Sequence, residues 1–394
     1  MSEQKTLRKF SELEFLPMHR TWAEIDLSSL RHNFELLTSK VRESSPHCRP
    51  ICVVKADAYG HGMSACVSAL IGAGADFFAV SSLEEAMALK GVARGEGKDV
   101  RVLILGYTLP SQVSLLIENG ITQTVFSYEY ALALAGEAEK TGGVLDVHIK
   151  LDTGMNRLGF GTWDSEFDNT LEHICEIASF GCFSARGIFT HFACADEIDA
   201  PMTELQEKRY FRMLDALSAR GISFSERHMC NSALTLTKKE CHLDMVRLGI
   251  LLYGLSPSGE VGLDGLVPVM RLKTVVSHIH TLEPGETVSY GGHFSASEPR
   301  VLATLPIGYA DGFVRACTGG YVKIGEGRAK IVGNICMDQC MADITELQNV
   351  KVGDIVTVYG EDGESIERFA SLAGTINYEL VCLVSGRVPR IILE

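Results

Sequence analysis

Between residues 50 and 250 the chain repeats one pattern eight times: a short apolar run that reads as a strand, then a longer stretch with helical character. The runs are ICVVKA (51–56), FFAVSS (77–82), RVLILGY (101–107), TQTVFS (122–127), LDVHIKLD (145–152), ARGIFTHFA (185–193), RHMCNS (227–232) and DMVRLGI (244–250). Between most of them lie segments such as SLEEAMALKGVA, EYALALAGEAEK and TELQEKRYFRMLDALSARG. In the last, Leu205, Phe211, Leu214 and Leu217 stand close to the spacing of one helical face. Strands joined by crossover helices lie parallel, and eight of them close a (β/α)8 barrel. The crossover ALTLTKKECHL before the eighth run is the weakest unit, being short.

The pattern changes near residue 260. RLKTVVSHIHTL, RVLATLPIGYA, GYVKIGEGRAKIVGNI and VKVGDIVTVYG are β-like and parted by Gly and Pro, with one clear helix, ESIERFASLAG. The expected organisation is an N-terminal extension (1–19), a strand in 20–30 joining the later β domain, a barrel over 31–261 and a mostly β domain over 262–394.

Composition narrows the function. A net charge of −14 leaves no basic excess for a general nucleic-acid surface. No run of 18 apolar residues is present, so no membrane span is expected. The start, MSEQKTLRKFSELEFLPM, lacks the apolar core of a secretory signal, and the cytoplasm follows as the default. The 12 cysteines are scattered, without CxxC pairs or zinc-site histidines, and are expected to be reduced; no metal site is expected.

In a barrel of this kind reactive residues come from the C-terminal ends of the strands. Those ends carry Lys55 and Tyr59, Lys150 and Arg157, His191, Asn231 and Ser232, then Arg247, Gly249 and Ile250. Together they make an electropositive, glycine-lined mouth on an acidic protein, which suits an anionic small ligand. A lysine in a desolvated site near other cations has a lowered pKa and can form a Schiff base with a carbonyl compound. Gly249 lets backbone amides approach a phosphate, with Ser232 and Tyr59 adding hydroxyls. A phosphate-bearing aldehyde, pyridoxal phosphate, fits both halves; a phosphorylated metabolite bound without a cofactor is the alternative.

VVKADAYGHG resembles the pyridoxal-phosphate attachment motif of bacterial alanine racemases. The likeness runs from RTWAEIDLSSLRHNF to SGRVPRIIL and includes HIKLDTGMNRLGF, THFACAD, CNSAL, VRLGILLYGL, VSYGG, GYADGF, ICMDQCM and INYEL. It implies a (β/α)8 barrel with a C-terminal β domain, and a homodimer that interconverts L- and D-alanine by a two-base mechanism, supplying D-alanine for cell-wall peptidoglycan. By resemblance, Lys55 holds the cofactor covalently, and Tyr59, Tyr378, Ser232, Gly249 and Ile250 contact its phosphate. Arg247 faces the pyridine nitrogen. Many pyridoxal enzymes place a carboxylate there; an arginine cannot accept that proton, which makes a weaker electron sink and limits side reactions.

The resemblance also makes Lys55 the base on the D-isomer's face and Tyr290, from the neighbouring subunit, the base on the L-isomer's face. Tyrosine's ordinary pKa of about 10 requires nearby cations for that task, and His191 and Arg247 are the expected tuners. Arg157 would pair with the substrate carboxylate, and Met337 of the partner would contact substrate through its backbone. Lys150 matches a lysine carbamylated in many relatives, the alternative being an unmodified lysine paired with a carboxylate. One departure stands out: Gly333-Asn334 replaces a Gly-Arg common in relatives and removes a positive charge from the expected entryway. Rival readings are a racemase of serine, lysine or a broader amino-acid set, a decarboxylase of similar architecture, and a non-catalytic cofactor carrier. Arg247 opposes the decarboxylase, which would have a glutamate at the nitrogen, and the residues beyond 262 oppose the carrier.

Overall fold

The computed structural model describes residues 19–360 and 363–394; all but the last residue of the expected N-terminal extension lies outside them. The chain divides into two units, one of residues 27–267 and one of residues 19–26 with 268–394.

The first unit is the expected barrel. Its strands are Arg49–Val53, Phe77–Val80, Arg101–Ile104, Ile121–Val125, Leu145–Asp152, Phe183–Phe189, Glu226–His228 and Met245–Leu248. Each pairs in parallel with the next through the seventh, and the eighth pairs with the first. The amides of Asp244 and Arg247 close the ring by donating to the carbonyls of Arg227 and Cys230 at 3.2 and 3.0 Å. The strands read as apolar runs because both faces are covered: Phe77 to Val80 are 0% exposed. None of the twelve cysteines is in a disulfide, and burial pushes several thiols up, Cys66 to about 12.

Two local expectations needed correction. The helix Pro201–Ala219 buries Thr203, Gln206, Tyr210, Met213 and Leu217, while Leu205 is 40% exposed. Apolar spacing alone missed this face because two of its members are polar. They are accepted in the interior because each is hydrogen-bonded, Thr203 to the Cys194 carbonyl and Gln206 to three partners. The early strand spans Thr21–Asp26 only, since Leu27, Leu30, Phe34, Leu37 and Val41 begin a helical stripe that buries along Leu27–Ser44.

The second unit is built on a nine-stranded sheet. Its order is His278–Leu282, Arg300–Leu305, Cys340–Asp343, Gly327–Val332, Tyr321–Ile324, Ile355–Tyr359, Met270–Val275, Thr21–Asp26 and Arg390–Leu393. Thr21–Asp26 pairs antiparallel with Met270–Val275 and parallel with Arg390–Leu393. Beside the helix Ile366–Ala373, this unit contains a second, Asn377–Leu383. At seven residues, that helix is too short to show a period in the sequence.

Candidate active site

The first strand ends at Val53, and the chain then winds left-handed. Ala56, Asp57, Ala58 and Tyr59 have φ of 52, 54, 55 and 53°, and Gly60 follows at 78°. Left-handed winding costs L-residues roughly 1–2 kcal/mol each, so the turn must be held by its surroundings. Glu85 holds its start, accepting the amides of Ala56 at 2.6 Å and Ser81 at 2.7 Å. Asp57 accepts the Met63 amide at 2.7 Å. Tyr253 lies beneath, its hydroxyl donating to the Val53 carbonyl and its ring centroid 4.9 Å from that of Tyr59. Lys55 therefore sits half-buried at a strand end, in a segment whose backbone is specified residue by residue.

The same turn carries the Tyr59 hydroxyl to the end of the eighth strand. A Cβ built on Gly249 would stand 2.8 Å from Tyr59 Oη and 3.6 Å from Ser232 Oγ. The Gly249 amide donates to Ser232 Oγ at 2.9 Å. Two hydroxyls and a backbone amide thus converge where only glycine leaves space, and buried Ile250 follows directly. Asn231 positions Ser232 by capping the helix Ser232–Thr237, its side chain accepting the Leu234 amide at 3.0 Å. With the Gly249 amide bonded to Ser232 Oγ, the hydroxyls of Ser232 and Tyr59 are the neutral groups of this cradle that suit a phosphate.

Arg247 is 3% exposed, and the partners it shows are neutral acceptors. Nη1 donates to His228 Nδ1 at 2.9 Å and to the His228 carbonyl at 3.2 Å. Nη2 donates to the carbonyls of Thr190 and Met229 at 2.9 and 3.2 Å, and to His191 Nδ1 at 3.2 Å. Burial lowers its pKa to about 10, which leaves it a cation at neutral pH.

Behind Arg247 a polar chain crosses the barrel interior. His228 Nε2 meets His148 Nδ1 at 2.9 Å, and His148 Nε2 meets Glu226 Oε2 at 2.9 Å. Glu226 receives both terminal nitrogens of Arg101, at 2.5 and 2.7 Å. Because Arg247 donates to His228 Nδ1, the His228 proton is on Nε2, and His148 then donates from its own Nε2 to Glu226. Burial, then the Arg247 charge, hold His228 well below its ordinary pKa; burial lowers His148 too. Burial alone would raise the Glu226 carboxyl, but His148 and Arg101 pull it down to about 2.

His191 accepts from Arg247 on Nδ1, so its proton is on Nε2. Burial, followed by the charges of Arg247 and Lys150, holds its pKa well below the usual value. The ring is neutral, which corrects the expectation of two cationic tuners: Arg247 is the cation of the pair. Gln206, which sequence reading did not single out, fixes this segment. It donates to Thr153 Oγ1 and the His191 carbonyl, both at 3.0 Å, and accepts the Ala193 amide at 2.8 Å.

Lys150 is buried, with Nζ donating to the Leu151 carbonyl at 2.7 Å and no carboxylate bonded to it among the described residues. Asp152 instead accepts the amides of Gly154 and Asn156 at 2.9 and 3.1 Å. Burial, then the Arg247 charge, lower the Lys150 ammonium to about 7. Arg157 is exposed on the loop beyond.

Tyr290, Met337 and Tyr378 belong to the second unit. Tyr290 is 69% exposed on a turn after the short strand Thr287–Val288, and Met337 is 53% exposed, which excludes a core role. Three quoted motifs meet here. Ser289 of VSYGG donates to the Asn334 carbonyl at 2.6 Å and lies 3.2 Å from Cys336 Sγ. Tyr309 and Ala310 of GYADGF donate to the carbonyls of Cys336 and Met337 at 3.1 and 3.0 Å. Tyr378 is half-buried in the helix Asn377–Leu383.

Comparison with known proteins agrees over both units. Residues 25–257 match the family model "Alanine racemase, N-terminal domain" and residues 269–392 the model "Alanine racemase, C-terminal domain". The alanine racemase of Methanococcus maripaludis is 43% identical over 95% of this chain and 99% of its own length. That of Clostridium tetani is 41% identical over 96% and 97%. The solved alanine racemase of Clostridium difficile 630 superposes with a TM-score of 0.88 at 38% identity, covering 96% of this chain and 97% of its own. With its barrel, its second β unit and these matches over both, the chain belongs to the alanine racemase family.

Proposed function

We propose that this protein interconverts L- and D-alanine with pyridoxal 5'-phosphate as cofactor, as a homodimer whose sites take residues from both subunits, and that it supplies D-alanine for peptidoglycan. The observation that carries the reading is Arg247, a buried cation at the barrel mouth with neutral acceptors around it. A decarboxylase of this architecture would need an acidic group there. The donor set of the barrel fits the cofactor: Lys55 for the aldehyde, the cradle of Tyr59, Ser232, Gly249 and Ile250 for the phosphate, His191 beside the ring, and Arg247 for the ring nitrogen.

When bound, the cofactor supplies an electron-withdrawing ring conjugated to the substrate amine, which acidifies Cα–H. The side chains do the rest. Arg157 pairs with the carboxylate of alanine, and Met337 of the partner subunit contacts the substrate through its backbone. Lys55 Nζ exchanges a proton with Cα on the D-isomer's face and Tyr290 Oη of the partner on the L-isomer's face. Each serves as base in one direction and acid in the other. A Lys150 amine with pKa near 7 is neutral often enough to add to carbon dioxide and lose a proton to water, and the resulting carbamate anion would orient Arg157. Alanine is favoured over serine, lysine and a broader set, because that is the substrate named for the family.

The test is direct. The purified protein should show the visible absorbance of bound pyridoxal phosphate and form D-alanine from L-alanine. Lys55→Ala should lose both without added amine. Racemisation at the parental rate by Lys55→Ala would overturn the reading, release of carbon dioxide would make the protein a decarboxylase, and colour without turnover would make it a carrier.

A further inference from the structure

The turn that carries Tyr290 has an unusual backbone. Ser289 stands at φ 66° and ψ −176°, a region essentially reserved for glycine. Gly291 and Gly292 follow at φ 80° and 57°. Tyr290, between Ser289 and Gly291, is 69% exposed, so the course of the turn, more than packing around the ring, decides where the phenol points.

That course is held by Asn334. Its Nδ2 donates to the Tyr290 carbonyl at 2.6 Å, and Ser289 Oγ donates back to the Asn334 carbonyl at 2.6 Å. The two bonds run in opposite directions across one contact and bracket the Ser289–Tyr290 peptide. The segments approach so closely that a Cβ on Gly333 would lie 2.7 Å from the Val288 carbonyl oxygen. Asn334 also hangs from a fixed support, since the carbonyls of Cys336 and Met337 are taken by Tyr309 and Ala310. Its short neutral amide has the donor this contact needs; an aspartate of the same size has none.

We propose that Asn334 is a positioning residue for Tyr290: its amide N–H, bonded to the Tyr290 carbonyl, sets the direction in which the phenol leaves the turn and hence where the L-face proton acceptor stands. The proposal rests on Tyr290 being that acceptor. The loss of charge relative to Gly-Arg relatives is, on this account, the gain of a neutral clamp.

The test uses the holoenzymes of Asn334→Ala, Asn334→Asp and Tyr290→Phe in deuterated water. On the D-face, Lys55 Nζ takes the Cα proton, its ammonium hydrogens trade with solvent, and a deuteron returns to the same face. That exchange with retention needs no phenol. Both Asn334 variants should racemise roughly ten- to a hundredfold more slowly, while D-alanine exchange with retention stays near the parental rate, so their ratio rises by the same factor. Amide hydrogen exchange over residues 287–296, which does not depend on turnover, should become faster in both variants and stay unchanged in the barrel. Parental racemisation, a parallel fall of racemisation and exchange, or unchanged amide protection of 287–296 would each overturn the proposal. Tyr290→Phe separates the two claims. If it racemises at the parental rate, the base assignment falls and takes this proposal with it. If it is inactive while Asn334→Ala is fully active, only the positioning role is lost.

Discussion

Glu226 anchors the polar chain that ends at Arg247, and Glu226→Gln measures what its charge contributes. The carboxyl stands at about 2 against an ordinary value of 4.5. At 1.36 kcal/mol per unit, that difference is worth about 3 kcal/mol at pH 7. The sign follows from the depressed folded value: the contribution is complete above the unfolded pKa and is lost as pH falls through the folded one. Integrating the linkage between those values leaves about 1.4 kcal/mol at pH 3. Glutamine can accept from Arg101 or His148 but turns an N–H toward the other, so the loss should appear in full. For a unit of this size the pH 7 deficit corresponds to a melting point lower by roughly 6–12 °C. The assay is thermal unfolding followed by circular dichroism from pH 7 down to pH 3, parent beside variant. A variant melting within about 2 °C of the parent at pH 7, or a gap that stays constant to pH 3, would refute the reasoning.

Two further outcomes are expected. Gly249→Ala places a Cβ 2.8 Å from Tyr59 Oη and should weaken pyridoxal phosphate binding at least about tenfold, a loss of about 1.4 kcal/mol; titration of the cofactor-free protein checks it, and an unchanged affinity would remove the cradle from the phosphate site. Lys150, at about 7, should give a carbamate carbon signal with labelled bicarbonate, growing as pH rises through 7 and absent in Lys150→Ala. A parent protein without the signal would exclude the modification.

Much of the candidate site was legible in the sequence because its residues stand at strand ends, and strand ends can be read from apolar runs. Lys55, Lys150, His191 and Arg247 each close such a run or lie within a few residues of its end. The supporting contacts were not legible. Glu85, Gln206 and Asn334 act through backbone groups far along the chain, 29 residues away for Ala56 and 44 for Tyr290. Gln206 was further hidden on a helix whose buried face includes polar residues. The neutrality of His191 also escaped, because it depends on burial and on cations supplied by other strands.

What the sequence determined by itself was architecture and chemistry. Eight apolar runs separated by helices allow few arrangements, and a lysine, two tyrosines and an arginine in family motifs restrict the reaction. Only tertiary structure decided protonation and direction: which histidines are neutral, why Arg247 keeps its charge without a carboxylate, how a left-handed turn brings Tyr59 to Gly249. Strand periodicity is a property of neighbouring residues, so a sequence records it. Desolvation and hydrogen bonding sum over groups that become neighbours only on folding, and no local pattern encodes that sum.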